Sequence, residues 1–189
     1  MENYKKNLEL LTKNHVYSKE MEHDACGVGL IASTEGKKSR AIVEYGIEAL
    51  KAVWHRGAVD ADGKTGDGAG IHVEIPKDFF IEKIQVTGHD YDNSEICVGM
   101  IFLPRNDYSA QESCKTIVES ELTKNNFSIY GWRQVPVNSK VLGEKALQTM
   151  PEIIQVLFKP NDPNLLDKNL ERKIYETRKR IENKAFDAS

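Results

Sequence analysis

The sequence predicts a mixed fold, α/β or α+β, with strands and helices interleaved along 189 residues. Three observations point there. Apolar runs of strand length occur at 26–33, 95–103 and 153–158. Segments with helical spacing of apolar residues lie between them, at 39–54 and 107–124. Hydrophobic residues make up 40% of the chain and charged residues 29%, scattered without a block of one sign. This is enough chain to bury a sizeable core.

The elements follow in order. Residues 1–25 are polar, with lysines and glutamates throughout. Only Leu8, Leu10 and Leu11 could anchor a weak helical turn, so the segment reads as an extension lying on the domain or partly disordered. Residues 26–33 read as a buried strand, closed by the polar turn Glu35-Gly36-Lys37-Lys38. Ser39 suits a helix cap, and Ile42, Val43, Ile47, Leu50, Val53 and Trp54 recur at helical spacing after it. Residues 55–70 form a glycine-rich loop. Ile71–Ile75 alternates as a strand and stops at Pro76. Lys77–Ile84 reads as a short helix and 85–94 as a loop.

Residues 95–103 form a second apolar strand, and 107–124 an amphipathic helix with Ile117, Val118 and Leu122 inside. Phe127–Val135 reads as a strand with Tyr130 and Trp132 on one face. A short helix at 143–149, a strand at 153–158 and a charged helix at 168–184 complete the pattern.

Composition bounds function as well. The formal net charge is −3, and no basic stripe stands out, which argues against nucleic acid or an anionic membrane as the main partner. No apolar run approaches the roughly 20 residues of a membrane span. The N-terminus lacks the apolar core of a secretory signal. Three cysteines, Cys26, Cys97 and Cys114, make an odd count without metal-like spacing, as in a reduced, cytoplasmic protein. Cys97 reads as a buried small hydrophobe and Cys114 as structural.

Three apparent motifs fail. Gly57 to Gly63 leaves one residue too many for a phosphate loop before Lys64-Thr65, and no strand feeds it. Asp60-Ala61-Asp62 begins like a calcium loop, but Lys64 and Thr65 occupy positions that need a ligand and a glycine. Gly27-Val28-Gly29-Leu30-Ile31-Ala32 fits a loose dinucleotide fingerprint, yet polar Glu22-His23-Asp24 precedes it where a strand is required. No two histidines share metal-ligand spacing on one element. His72 reads as a strand-face residue, and His15, His23 and His89 as solvated.

The residues that remain carry the chemistry. Cys26-Gly27-Val28-Gly29, Gly46-Ile47-Glu48-Ala49-Leu50, Trp54-His55-Arg56-Gly57-Ala58-Val59-Asp60-Ala61-Asp62-Gly63 and Thr65-Gly66-Asp67-Gly68-Ala69-Gly70-Ile71 resemble the glutamate synthase family. They are similar to the start of its large subunit, a class II glutamine amidotransferase domain. The Ala-Val-Asp-Ala-Asp-Gly wording resembles the bacterial pyridine-nucleotide type more than the ferredoxin type. The resemblance is strong from Cys26 to Pro76. It continues more weakly through Pro136-Val137-Asn138, Leu142-Gly143 and Glu171-Arg172.

The resemblance implies an α+β, four-layer αββα N-terminal-nucleophile (Ntn) hydrolase fold. It implies a prosegment, residues 1–25, removed on maturation, with 26–189 the N-terminal part of the glutaminase domain. The family's oxyanion donors come from an Asn-Gly pair and its substrate-amine ligand from an aspartate further on. No Asn-Gly occurs here, so the fold is expected to be incomplete at the C-terminal end, with open sheet edges, and the isolated chain inactive and poorly soluble.

Cys26 is the candidate nucleophile, with its own α-amine as base after cleavage. A thiol is a strong nucleophile even when little of it is ionised. A free α-amine has a pKa of about 7.7–8.0, near the working pH. Arg56, with His55 and Gly57, is expected to shape the substrate site, and Trp54 to support the loop. Gly57, Gly66, Gly68 and Gly70 read as structural, and Asp67 as making Asx-type bonds. No cofactor is expected in this chain. FMN and an iron–sulfur cluster are implied for the longer protein, on a barrel followed by a β-helix. The implied partners are L-glutamine, the downstream synthase domains and a small NAD(P)H-oxidising subunit. The ammonia would serve 2-oxoglutarate. Two other readings stay open: an amidotransferase domain feeding another acceptor, and a degenerate binding module.

Overall fold

A computed structural model describes residues 6, 9, 10, 13, 27–54 and 57–188. The chain divides into two compact units, Met1–Ala58 with Gly68–Ile71, and Val59–Asp67 with His72–Ser189.

In the first unit the main element is helix α1, Arg40–Ala52. Ser39 caps it as its sequence suggests: extended backbone, and a hydroxyl that accepts the Ala41 N–H at 3.2 Å. Its apolar positions Ile42, Val43, Ile47 and Leu50 are half-buried. The predicted strand at 26–33 is not formed over its described residues, 27–33. Val28 is 93% exposed and Leu30 89%. An apolar run becomes a strand only when another strand satisfies its backbone groups, and no described segment pairs with this one. Residues 71–75, the other alternating segment, are irregular for the same reason, and His72 is exposed outside any strand.

The second unit is built on one antiparallel sheet. Its strands are β1, Cys97–Leu103, β2, Phe127–Gln134, and β3, Glu152–Pro160, in the order β1-β3-β2. The central β3 is covered on both faces, which explains its continuous apolar run. Its register sets Cys97 opposite Phe158, and Ile129 opposite Phe158 on the other side.

Helices α3, Tyr108–Lys124, and α5, Asp167–Asp187, cover one face. There Cys97, Val118, Leu122, Phe127, Val156, Phe158 and Leu170 form the larger core cluster. Helix α2, Lys77–Val86, covers part of the other face, with Phe80 and Ile84 against Ile96, Tyr130 and Leu157. The short helix α4, Glu144–Thr149, and a 3-10 turn at Ser139–Val141 precede β3.

One expectation about β2 is corrected. Tyr130 and Trp132 lie on opposite faces, in the smaller and larger cluster respectively. The register shifts between Ile129 and Gly131, so a bulge at Tyr130 breaks the two-residue alternation. Gly131 makes this possible. Its φ is +148°, and a Cβ there would lie 2.8 Å from Thr87 Cγ2 at the end of α2. The missing side chain lets α2 close onto the sheet.

Candidate functional site

The glycine-rich loop that the sequence singles out is organised in its middle. Val59 and Gly66 form an isolated antiparallel bridge. Between them the Asp60 N–H donates to the Thr65 carbonyl at 2.7 Å, and the Gly63 N–H to the Asp60 carbonyl at 2.9 Å. Gly63 sits at φ +69°, the left-handed conformation that closes so short a loop with little strain in glycine.

Asp62 holds the loop's interior. Its Oδ1 accepts the Lys64 N–H at 2.9 Å and the Thr65 N–H at 2.7 Å, and its Oδ2 accepts the Thr65 hydroxyl at 2.5 Å. These donors, led by the Thr65 hydroxyl, hold the Asp62 carboxyl well below the usual carboxylate range. Gly143, the cap position of α4, has no side chain with which to cap. A Cβ there would collide with Thr65 Oγ1 and Asp62 Oδ2 of the loop. Lys145 Nζ then meets Asp60 Oδ2 at 2.6 Å. The two aspartates that imitate a calcium loop are engaged with protein donors.

Asp62 makes an Asx turn in this loop. Sequence reasoning passed over Asp62, Gly143 and Lys145 as a group. The available signal was Gly143, a glycine opening a helix with no capping side chain.

The other predicted site residues divide clearly. Cys26, His55 and Arg56 lie outside the described residues. Gly57 donates its N–H to the Trp54 carbonyl at 3.0 Å, and a Cβ there would stand 3.3 Å from that oxygen, so the turn is tight. Trp54 is 76% exposed. Gly66 belongs to the bridge, whereas a Cβ at Gly68 or Gly70 would meet nothing within 4 Å.

Cys97 is buried as expected, and burial pushes its thiol up to about 12. It is not a competing nucleophile near neutral pH. A groove of about 550 Å³ runs along Phe102, Arg105, Asp107, Gln148 and Met150. It holds none of the predicted site residues, and Asp107 there is occupied in capping α3 through Ala110 N–H at 2.9 Å. Among the described residues no group of three or more His, Cys, Asp or Glu side chains could hold a metal ion. No helix among them is long and apolar enough to cross a membrane.

Comparison with known proteins bears on residues that the geometry leaves open. The chain is 52% identical over 179 residues to the glutamate synthase [NADPH] large chain of Azospirillum brasilense, covering 95% of this chain and 12% of that protein. It is 40% identical over 174 residues to the ferredoxin-dependent glutamate synthase of Pyropia yezoensis, covering 92% of this chain and 11% of that one. A chloroplastic/mitochondrial ferredoxin-dependent glutamate synthase of Arabidopsis thaliana is 40% identical over 162 residues, 85% of this chain and 10% of its own length. The higher identity to the NADPH protein agrees with the wording of the Ala58–Gly63 motif. The chain spans about a tenth of the length of these relatives. The pattern of the family described as Glutamine amidotransferases class-II matches residues 26–189, starting at the candidate nucleophile. The chain belongs to the class II glutamine amidotransferases.

Proposed function

We propose that this chain is the glutaminase part of an NADPH-type glutamate synthase. It releases ammonia from L-glutamine through Cys26. The observation that carries the reading is 52% identity to the Azospirillum large chain over 95% of the sequence, within a family match that begins at residue 26.

The chemistry follows from the residue types. Residues 1–25 are a prosegment. While they remain, the nitrogen of Cys26 is an amide and cannot take a proton. Once they are removed, the α-amine accepts the thiol proton and the sulfur attacks the side-chain carbonyl carbon of glutamine. The tetrahedral intermediate collapses as the C–N bond breaks, and the departing nitrogen takes the proton to leave as ammonia. Water then cleaves the thioester, giving glutamate and the free thiol. Arg56, with His55 and Gly57, shapes the glutamine site. Oxyanion donors are required as well.

The fold of the whole domain is the four-layer αββα Ntn stack. Uncovered apolar groups support it: Met100 and Phe102 on the sheet, 48% and 63% exposed, and the run holding Val28 and Leu30. A second sheet would cover them. In the full-length protein the ammonia joins 2-oxoglutarate in a reductive domain that carries FMN and an iron–sulfur cluster. A small subunit oxidises NAD(P)H, and the assembly is cytoplasmic.

A glutamine-like electrophile tests the site. In the processed full-length protein it is expected to label Cys26 and to spare Cys97. Labelling that persists in Cys26→Ala would remove Cys26 from its role.

A further inference from the structure

We propose that the open sheet face beside α2 docks a segment of the longer protein, outside residues 1–189, that brings a carboxylate onto Arg133. The inference rests on the functional reading above, in which this chain is about a tenth of a longer protein.

Side chains alternate between the two faces of a sheet, so Val98, Met100 and Phe102 of β1 share one face. The register sets Leu157, Gln155 and Ile153 of β3 beside them. Helix α2 covers only the first of these rows, where Val98 and Leu157 pack with Phe80 and Ile84. The next two rows are open, with Met100 48% exposed and Phe102 63%. Arg133 of β2 lies opposite Gln155 and completes the middle row.

That row is hydrogen-bonded from end to end. Arg133 Nη1 donates to Gln155 Oε1 at 2.7 Å, and Gln155 Nε2 donates to Met100 Sδ at 3.0 Å. The Phe79 ring of α2 lies 5.1 Å from the Arg133 guanidinium carbon and 5.0 Å from Lys83 Nζ. Among the described residues no carboxylate pairs with Arg133 or with Lys83. Arg133 is half-buried. A guanidinium keeps its charge and carries several N–H donors, and here the side-chain acceptor is a neutral amide. An apolar layer laid over this row would strip its water and leave the charge uncompensated, which is strongly unfavourable. A carboxylate on the covering segment would accept the remaining N–H groups side by side. Apolar residues flanking it would meet Met100 and Phe102.

The same charges select the occupant. A two-fold pairing of this face with a second copy sets like patch on like patch, and so cation on cation. The relatives are about ten times as long as this chain, so most of the acids able to reach the face belong to the same polypeptide.

The test uses the full-length processed protein carrying Arg133→Lys, treated with a water-soluble carbodiimide and digested for mass spectrometry. The reagent activates a carboxyl group, and an adjacent amine displaces it as a urea, leaving an amide bond. A guanidinium does not couple in this way, so wild type is the blank. The expected result is a cross-link from position 133 to an Asp or Glu of the same chain outside residues 1–189. A link to an acid within those residues, to a second copy or to another subunit overturns the proposal. So does a folded variant with no link at 133. Should the variant fail to fold, wild type decides. Peroxide oxidation of Met100 is then expected to be about tenfold slower in the native protein than in the urea-unfolded one. Equal rates would mean an open face and overturn the proposal. The parent reading fails differently: wild type would not hydrolyse glutamine, or Cys26→Ala would still do so.

Discussion

Glu121 and Asp92 show how single charges are used in this molecule. Glu121 is only 3% exposed on α3, and its Oε1 receives Lys184 Nζ at 2.5 Å and Lys124 Nζ at 3.5 Å. The Lys184 hydrogen bond, ahead of the other contacts, lowers its pKa. Asp92 accepts Lys159 and the Tyr130 hydroxyl, and its carboxyl is held low chiefly by Lys159. Burial, with Asp92 beside it, raises the Tyr130 hydroxyl. A carboxyl whose folded pKa lies below its unfolded value of about 4 contributes stability that is present above that value and lost as pH falls through the folded one. The second unit should therefore lose stability in acid, below about pH 4. Glu121→Gln should be less stable than wild type near neutrality and should flatten that acid dependence. Urea midpoints measured between about pH 3 and 7 check both, and parallel curves for the two proteins would contradict the assignment.

At the scale of elements, the helices were legible because their signals are local. Ser39 caps α1 where the sequence places it, and the apolar period of α3, which Asp107 caps, buries Val118 and Leu122. The strands at 95–103 and 153–158 were equally plain, as continuous apolar runs. The run at 26–33 carried the same signal and forms no strand over 27–33, because composition does not name a partner. The bulge in β2 was illegible for a related reason. Tyr130-Gly131-Trp132 alternates on paper, and only the register against β3 reveals the extra residue. Gly131→Ala tests this element. The new methyl group would meet Thr87 at 2.8 Å in a backbone conformation that L-residues avoid. The cost should be about 2 kcal/mol in chemical denaturation. A change below about 0.5 kcal/mol, the range of ordinary surface substitutions, would mean that α2 is not held against the sheet there.

For the whole molecule, sequence and structure inform different parts of the site. The motifs around Cys26 and Arg56 identify the chemistry, since residue types and spacing suffice to resemble a family whose pattern matches 26–189. The ion pair of Lys145 with Asp60 at 2.6 Å could not be read that way, because the two residues are far apart in sequence and share no motif. The central claim is that Cys26 works as an N-terminal residue whose own amine is the base. The most direct measurement is the intact mass of the mature full-length protein, taken together with its glutamine hydrolysis and that of Cys26→Ala. The account predicts a chain that begins at Cys26, hydrolyses glutamine, and loses that activity in the alanine variant. A chain that retains Met1 and still hydrolyses glutamine would contradict it.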